Sequence, residues 1–181
     1  MAFDLGNLLQ QYLGGAAAPG ADTASHFDQA AQAAPTNVLQ DGLSAMFHSD
    51  QTPPFGQMAG QMFGQASSSQ QAGMLNQLIA AMGPGVLASL TSGGGAGALG
   101  GLGGLLSSLT GGGQAPQITP AQASQITPDQ VQVLANHAQQ ANPGIIDQMS
   151  GFYAEHPTLV KTLGSAALAI ALSKIAERSR A

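Results

Sequence analysis

Cysteine and tryptophan are both absent from the 181 residues. Without a thiol, disulfides, thiolate metal sites and cysteine nucleophiles are excluded. Charge is the next scarcity: Asp, Glu, Lys and Arg make up 7% of the chain, against ~25% in an ordinary soluble domain. Aromatic residues are 4%, so any core rests on Leu, Ile, Met, Phe and Ala. The four cations, Lys161, Lys174, Arg178 and Arg180, all stand in the last 21 positions, leaving residues 1–160 with a formal charge of −8. Nucleic-acid binding needs cations that displace phosphate counterions, so no nucleic-acid partner is expected. Between Asp50 and Asp129, 78 consecutive residues carry no ionisable side chain at all.

What is abundant is small or amide-bearing: Ala, Gly and Gln together form 43% of the sequence. The opening MAFDLGNLLQ has no cation and no continuous apolar run, so it does not read as a cleaved secretory signal. A cytoplasmic location is expected, with export by a route that leaves the chain uncleaved as the alternative.

Hydrophobic spacing is helical throughout, and no stretch alternates with period two. Phe3, Leu5, Leu8, Leu9, Tyr12 and Leu13 share one face of a first helix, which Gly14 and Gly15 end. A second runs from Thr23 to Ala34 behind a cap at Asp22 or Thr23. A third carries Val38, Leu39, Leu43, Met46 and Phe47. Thr52 before Pro53 and Pro54 reads as the N-cap of a fourth, with Phe55, Met58, Ala59, Met62 and Phe63 on its apolar face. A fifth, with Met74, Leu75, Leu78, Ile79 and Met82, is predicted to stop at Gly83-Pro84-Gly85.

The composition then changes. Residues 93–113 hold 11 glycines in 21 positions, and each Gly costs a helix ~1 kcal/mol relative to Ala. Residues 92–116 are therefore predicted to be a flexible linker. The alternative is a glycine zipper through Gly93, Gly97 and Gly101. Beyond it, Gln117-Ile118-Thr119-Pro120-Ala121-Gln122 returns eight residues later as Gln125-Ile126-Thr127-Pro128-Asp129-Gln130. Thr at the cap, Pro at the first helical position and Gln three after the cap predict two capping boxes. Asn142-Pro143 and His156-Pro157 are read as the starts of two later helices, the last running to about Arg178. The fold class that follows is all-α: a short-helix bundle over 1–91, a Gly-rich linker over 92–116, and a group of about three helices over 117–181.

Signals of chemistry are few. Gly95-Ala96-Gly97-Ala98-Leu99-Gly100 matches the dinucleotide pattern, but that pattern works only between a strand and a helix with an acid ~20 residues on. Here a Ser-Gly run precedes it and the next carboxylate is Asp129. No cofactor is expected, and no Gly-Lys-Ser or Gly-Lys-Thr exists for a P-loop. His26, His48, His137 and His156 lack metal-ligand spacing, so no metal is expected and they read as surface or capping residues. Ser25, His26 and Asp28 lie too close along one helix to converge as a triad, and Asp41 and Asp50 are two acids near helix ends. No catalytic residues are assigned. Met46, Met58, Met62, Met74 and Met82 read as core filler in preference to an adaptable binding groove.

The stretch from Thr52-Pro53-Pro54-Phe55-Gly56-Gln57-Met58 through Ala72-Gly73-Met74-Leu75-Asn76-Gln77-Leu78-Ile79, followed by the Gly-rich tract, resembles small bacterial proteins of the YidB-like family. The resemblance covers about residues 50–130 and implies a helical fold and no activity, because the function of that family is not established. In composition the chain also resembles harpins, the Gly-rich, cysteine-free, acidic proteins exported by plant-associated bacteria, though its C-terminal helix ends in Lys and Arg. The reading is a non-enzymatic helical protein that acts by self-association or partner binding; a secreted, membrane-active protein is the alternative.

The expected association element is the last helix. Leu159, Val160, Leu163, Gly164, Ala167, Leu168, Ala171, Leu172 and Ile175 form its broad apolar face. The 12 uncharged residues from Thr162 to Ser173 span ~18 Å as a helix, short of the ~30 Å of a bilayer core. A transmembrane span is therefore not expected; burial against the preceding helices is the competing use of that face, and docking on an anionic membrane surface is less favoured than either.

Overall fold

Both repeated openers build the caps their spacing predicts. Thr119 accepts from the backbone N–H of Gln122, and the Gln122 carboxamide oxygen accepts from the Thr119 N–H at 3.0 Å. Thr127 and Gln130 repeat the reciprocal pair, again with a 3.0 Å return bond. Ile118 and Ile126, just before each cap, are both buried, so each helix entry is also anchored by an apolar side chain.

The computed structural model describes residues 5–10, 12, 20, 22–92, 104 and 117–179. The fold is all-α, and no strand occurs among the described residues. In chain order the helices are α1 (Leu5–Gln10), α2 (Thr23–Ala33), α3 (Thr36–Phe47), α4 (Phe55–Gln65), α5 (Ser68–Ser92), α6 (Pro120–Ala123), α7 (Pro128–Ala141), α8 (Ile145–Glu155), α9 (Pro157–Val160) and α10 (Ser165–Ser179); a 3-10 turn, Lys161–Leu163, follows α9. Apart from Ser92 and Gly104, the expected linker lies outside the described residues. So do the dinucleotide-like match and the Gly93, Gly97, Gly101 spacing.

Two expected boundaries change, and one holds. Thr52 does not cap α4, whose N-cap position is Pro54. Its hydroxyl turns back to the carbonyls of Met46 and Ser49, 2.8 and 2.9 Å away, because the end of α3 leaves carbonyls without helical partners. At Gly83-Pro84-Gly85 the expected stop is present: Gly83, at φ 70°, ψ 169°, is a non-helical break, and a second helical stretch follows it to Ser92, so α5 is two helices joined at a kink. Asn142 Nδ2 donates to the Ala81 carbonyl at 3.3 Å beside that break. The last helix is not continuous either. Gly164, at φ 90°, separates the 3-10 turn from α10, in a backbone region that side chains other than hydrogen disfavour.

The chain forms two compact units, Met1–Pro53 with Ser150–Ala181, and Pro54–Met149. This grouping differs from the expected division into 1–91 and 117–181, for a physical reason visible in each unit. In the first, α10 packs on α3 and α2, burying Leu168, Ala171, Leu172 and Ile175 together with Phe27, Leu39, Leu43 and Met46. A Cβ on Gly42 would run into the Ile175 side chain and lie 3.1 Å from the Ile175 nitrogen; only hydrogen there lets α3 meet α10 at backbone distance. Lys161 and Asp28 add an ion pair of 2.6 Å, each about one third exposed. In the second unit α4 packs on α7, and α5 on α6 and α7, around Phe55, Met58, Met62, Phe63, Leu75, Leu78 and Leu134.

Candidate functional site

Helix α4 divides into three strips. Phe55, Met58, Ala59, Met62 and Phe63 face the core. Beside them run Gly56, Gly60 and Gly64, four residues apart and so aligned on one side of the helix. A Cβ at Gly56 would strike the Asn136 carboxamide, one at Gly60 would lie 2.8 Å from the Pro128 carbonyl oxygen, and one at Gly64 would lie 3.2 Å from the Pro128 ring. The glycine row is thus the seam against which α7 lies antiparallel, with Asn136 at the start of α4 and Pro128 toward its end. The third strip is Gln57, Gln61 and Gln65, also four apart and all exposed. Packed on two sides, α4 turns a row of amides to solvent.

The rest of this unit has little charge to offer. Within 54–149 the ionisable side chains of charge type are Asp129 and Asp147, with His137 the only imidazole. Asp129, His137 and Asp147 are all exposed. The outer positions of α4 and of the start of α5 are Gln, Gly and Ser: Gln57, Gln61, Gly64, Gln65, Ser68 and Ser69 are exposed. An amide offers both donor and acceptor without carrying net charge.

The expected association face lies elsewhere and is already occupied. Leu159, Val160, Ala167, Leu168, Ala171, Leu172 and Ile175 are buried, Leu163 is half-buried and Gly164 exposed. α3 and α2 cover the α10 part of that face, so it is core and not a free docking surface. The broad apolar stripe was correctly legible, but its partner is this chain's own first unit. The row on α4 was missed because an exposed Gln strip carries no hydrophobic signal; its four-residue spacing was the available clue.

The titratable groups singled out in the sequence do not converge. Ser25 is exposed, His26 Nδ1 bonds to the Tyr12 hydroxyl at 2.7 Å, and Asp28 pairs with Lys161. His48 Nδ1 donates to the Ser44 carbonyl at 2.9 Å, closing the end of α3. His156 stands at the α8–α9 junction, stacked on Phe152 with ring centroids 4.4 Å apart, and its Nδ1 donates to the Phe152 carbonyl. Asp41 and Asp50 are exposed. Among the described residues, no three His, Asp or Glu side chains are grouped to hold a metal ion. The five methionines Met46, Met58, Met62, Met74 and Met82 are all buried, as core filler.

One buried polar atom stands apart. Tyr153 is fully buried beside Phe47 and Phe152, with ring centroids 5.5 and 5.7 Å away. Its hydroxyl makes no hydrogen bond, and burial pushes its ionisation far above the ordinary tyrosine range. It does not open to solvent, so it belongs to the core. Comparison with protein-family models, with curated proteins and with solved structures gives no match in any of the three. No described helix is long and apolar enough to cross a membrane.

Proposed function

We propose that this chain is a non-enzymatic helical protein that acts by association, with a second copy of itself or with another protein. The observation that supports this reading is the outer surface of the second unit, where α4 and the start of α5 expose Gln, Gly and Ser and no charge. The fully buried centre of a protein interface is depleted in charged residues, because a buried charge must recover its hydration energy from a partner. An amide or hydroxyl surface is desolvated at lower cost and finds donors and acceptors on almost any polar partner. The resemblance to YidB-like bacterial proteins enters as a proposal of kinship in fold and adds no activity.

Sedimentation velocity on the full chain tests the reading. Association through an uncharged surface predicts a mass that rises with concentration and barely changes between low and high salt, since screening acts on charges. If the chain sediments as a single copy throughout and a pull-down retains no protein, the association reading fails. Leakage of a dye from lipid vesicles by the purified chain would replace it with the membrane-active alternative.

A further inference from the structure

We infer that the Lys161–Thr162 peptide bond is a processing site for a protease specific for lysine and arginine, with the Asp28 carboxylate as its latch. Scission there turns the chain into two pieces that stay together through the buried face of α10. The site stands independently of the association reading.

The placement of the cations selects the bond. The chain has four, Lys161, Lys174, Arg178 and Arg180, and none in residues 1–160. A protease of this specificity therefore has no bond to cut before Lys161. Cations in the last turn of a helix offset its dipole, which accounts for Arg178 but not for Lys161, which stands ahead of α10.

The backbone distinguishes the same cations. A protease takes its substrate as an extended segment, so a cation inside a helix is reached only after the helix opens. Lys174 lies within α10, half-buried and paired with Glu177 at 3.1 Å. Arg178 is exposed in the last turn, and a cut after it or after Arg180 trims the end while Ile175 and Ala176 stay in the core. Lys161 instead opens a single 3-10 turn, Lys161–Leu163, which ends at Gly164 with φ 90° and ψ 165°. Hydrogen bonds of this kind are poorer than those of an α-helix. Thr162 and Gly164 are exposed, as is usual where folded chains are nicked.

Asp28 closes the site. Its carboxylate holds Lys161 Nζ at 2.6 Å, with both side chains about one third exposed. The specificity pocket of a trypsin-like protease offers a carboxylate of its own, so Lys161 exchanges one for another. In the hydrolysis the C–N bond breaks. Water gives its oxygen to the Lys161 carbonyl carbon and both protons to the Thr162 nitrogen, leaving a carboxylate and an ammonium end. α10 stays whole, because its ladder begins at the Gly164 carbonyl, which accepts from the Leu168 N–H at 3.2 Å. Leu168, Ala171, Leu172 and Ile175 keep their buried places against α3 and α2. From then on α10 is a ligand held by contact alone.

Trypsin at a limiting ratio, acting on the full folded chain and read by intact mass, tests the site. The expected products are residues 1–161 and a piece beginning at Thr162. They should elute together in size exclusion and keep the helical circular dichroism of the uncut chain. The rate should stay level in urea below the unfolding midpoint, because opening one turn exposes little surface. Lys161→Gln should lose this cut and keep the trimming at Arg178. Asp28→Asn should be cut about twofold to fivefold faster, the scale of a partly exposed ion pair. If Lys161→Gln does not fold, the urea dependence and the Asp28→Asn rate decide. A first internal cut after Lys174 overturns the proposal. So does a rate that climbs with urea as unfolding does, since the bond is then open only in the unfolded chain. Pieces that separate in size exclusion overturn the two-piece form, and an unchanged Asp28→Asn rate overturns the latch.

Discussion

Asn76 holds Ile118 by both of its backbone groups. The Ile118 N–H donates to Asn76 Oδ1 at 2.7 Å, and Asn76 Nδ2 donates to the Ile118 carbonyl at 3.2 Å. One side chain on α5 thereby supplies a donor and an acceptor to backbone 42 residues later in the chain, as a neighbouring strand would. It sets where the chain re-enters the second unit, one residue before the Thr119 cap.

Asn76→Ala leaves both backbone groups of Ile118 without that partner. Leaving a buried group unsatisfied costs about 1–3 kcal/mol, and the loss should appear as a lower urea midpoint at an unchanged slope. The neighbouring exposed Gln77→Ala should change stability by less than about 0.5 kcal/mol. Equal effects at the two positions would remove the bidentate contact as a determinant of the fold.

The glycines divide by what a methyl group would meet. Gly60→Ala places a Cβ 2.8 Å from the Pro128 carbonyl oxygen and should destabilise by about 1–3 kcal/mol through overpacking. Gly85→Ala meets nothing within 4 Å and should stabilise by about 0.5–1 kcal/mol, since Ala loses less backbone entropy in a helix. Thermal melts of the two variants should therefore move in opposite directions.

Tyr153→Phe removes a hydroxyl that is buried and unpaired and keeps the ring between Phe47 and Phe152. Stability should rise by about 1 kcal/mol; a fall would mean that the hydroxyl is bonded in solution.

The same residue makes the fold sensitive to alkali. Burial raises the Tyr153 ionisation in the folded chain, whereas the unfolded chain ionises at the ordinary value of about 10. Above that pH the unfolded state binds fewer protons than the folded one, so stability falls as pH rises. In a spectrophotometric titration, Tyr153 tyrosinate should appear only with unfolding, and Tyr153→Phe should retain more of its stability at high pH than the wild type.

The Lys161–Asp28 pair ties the turn before α10 to α2. With both side chains about one third exposed, Asp28→Asn should cost no more than about 1 kcal/mol. The difference from wild type should shrink in high salt. A cost that salt leaves unchanged would show that Asp28 acts through something other than charge.

Much of the local structure was legible because it depends on neighbours in sequence. The Thr119 and Thr127 capping boxes need only residues three apart, and the helical period placed Phe27, Leu43, Met58 and Leu75 on buried faces. Other outcomes depended on which surfaces met. Periodicity says that the α10 face seeks burial; it does not say that α3, opened at Gly42, receives it. The Gly56, Gly60 and Gly64 row acquires meaning only when α7 lies against it, and the break at Gly164 only when the chain must turn there. Short-range rules are set by covalent spacing and hydrogen bonds within one turn of helix. The choice between equally apolar partners is set by the close fit of distant backbones, which only the folded chain brings together.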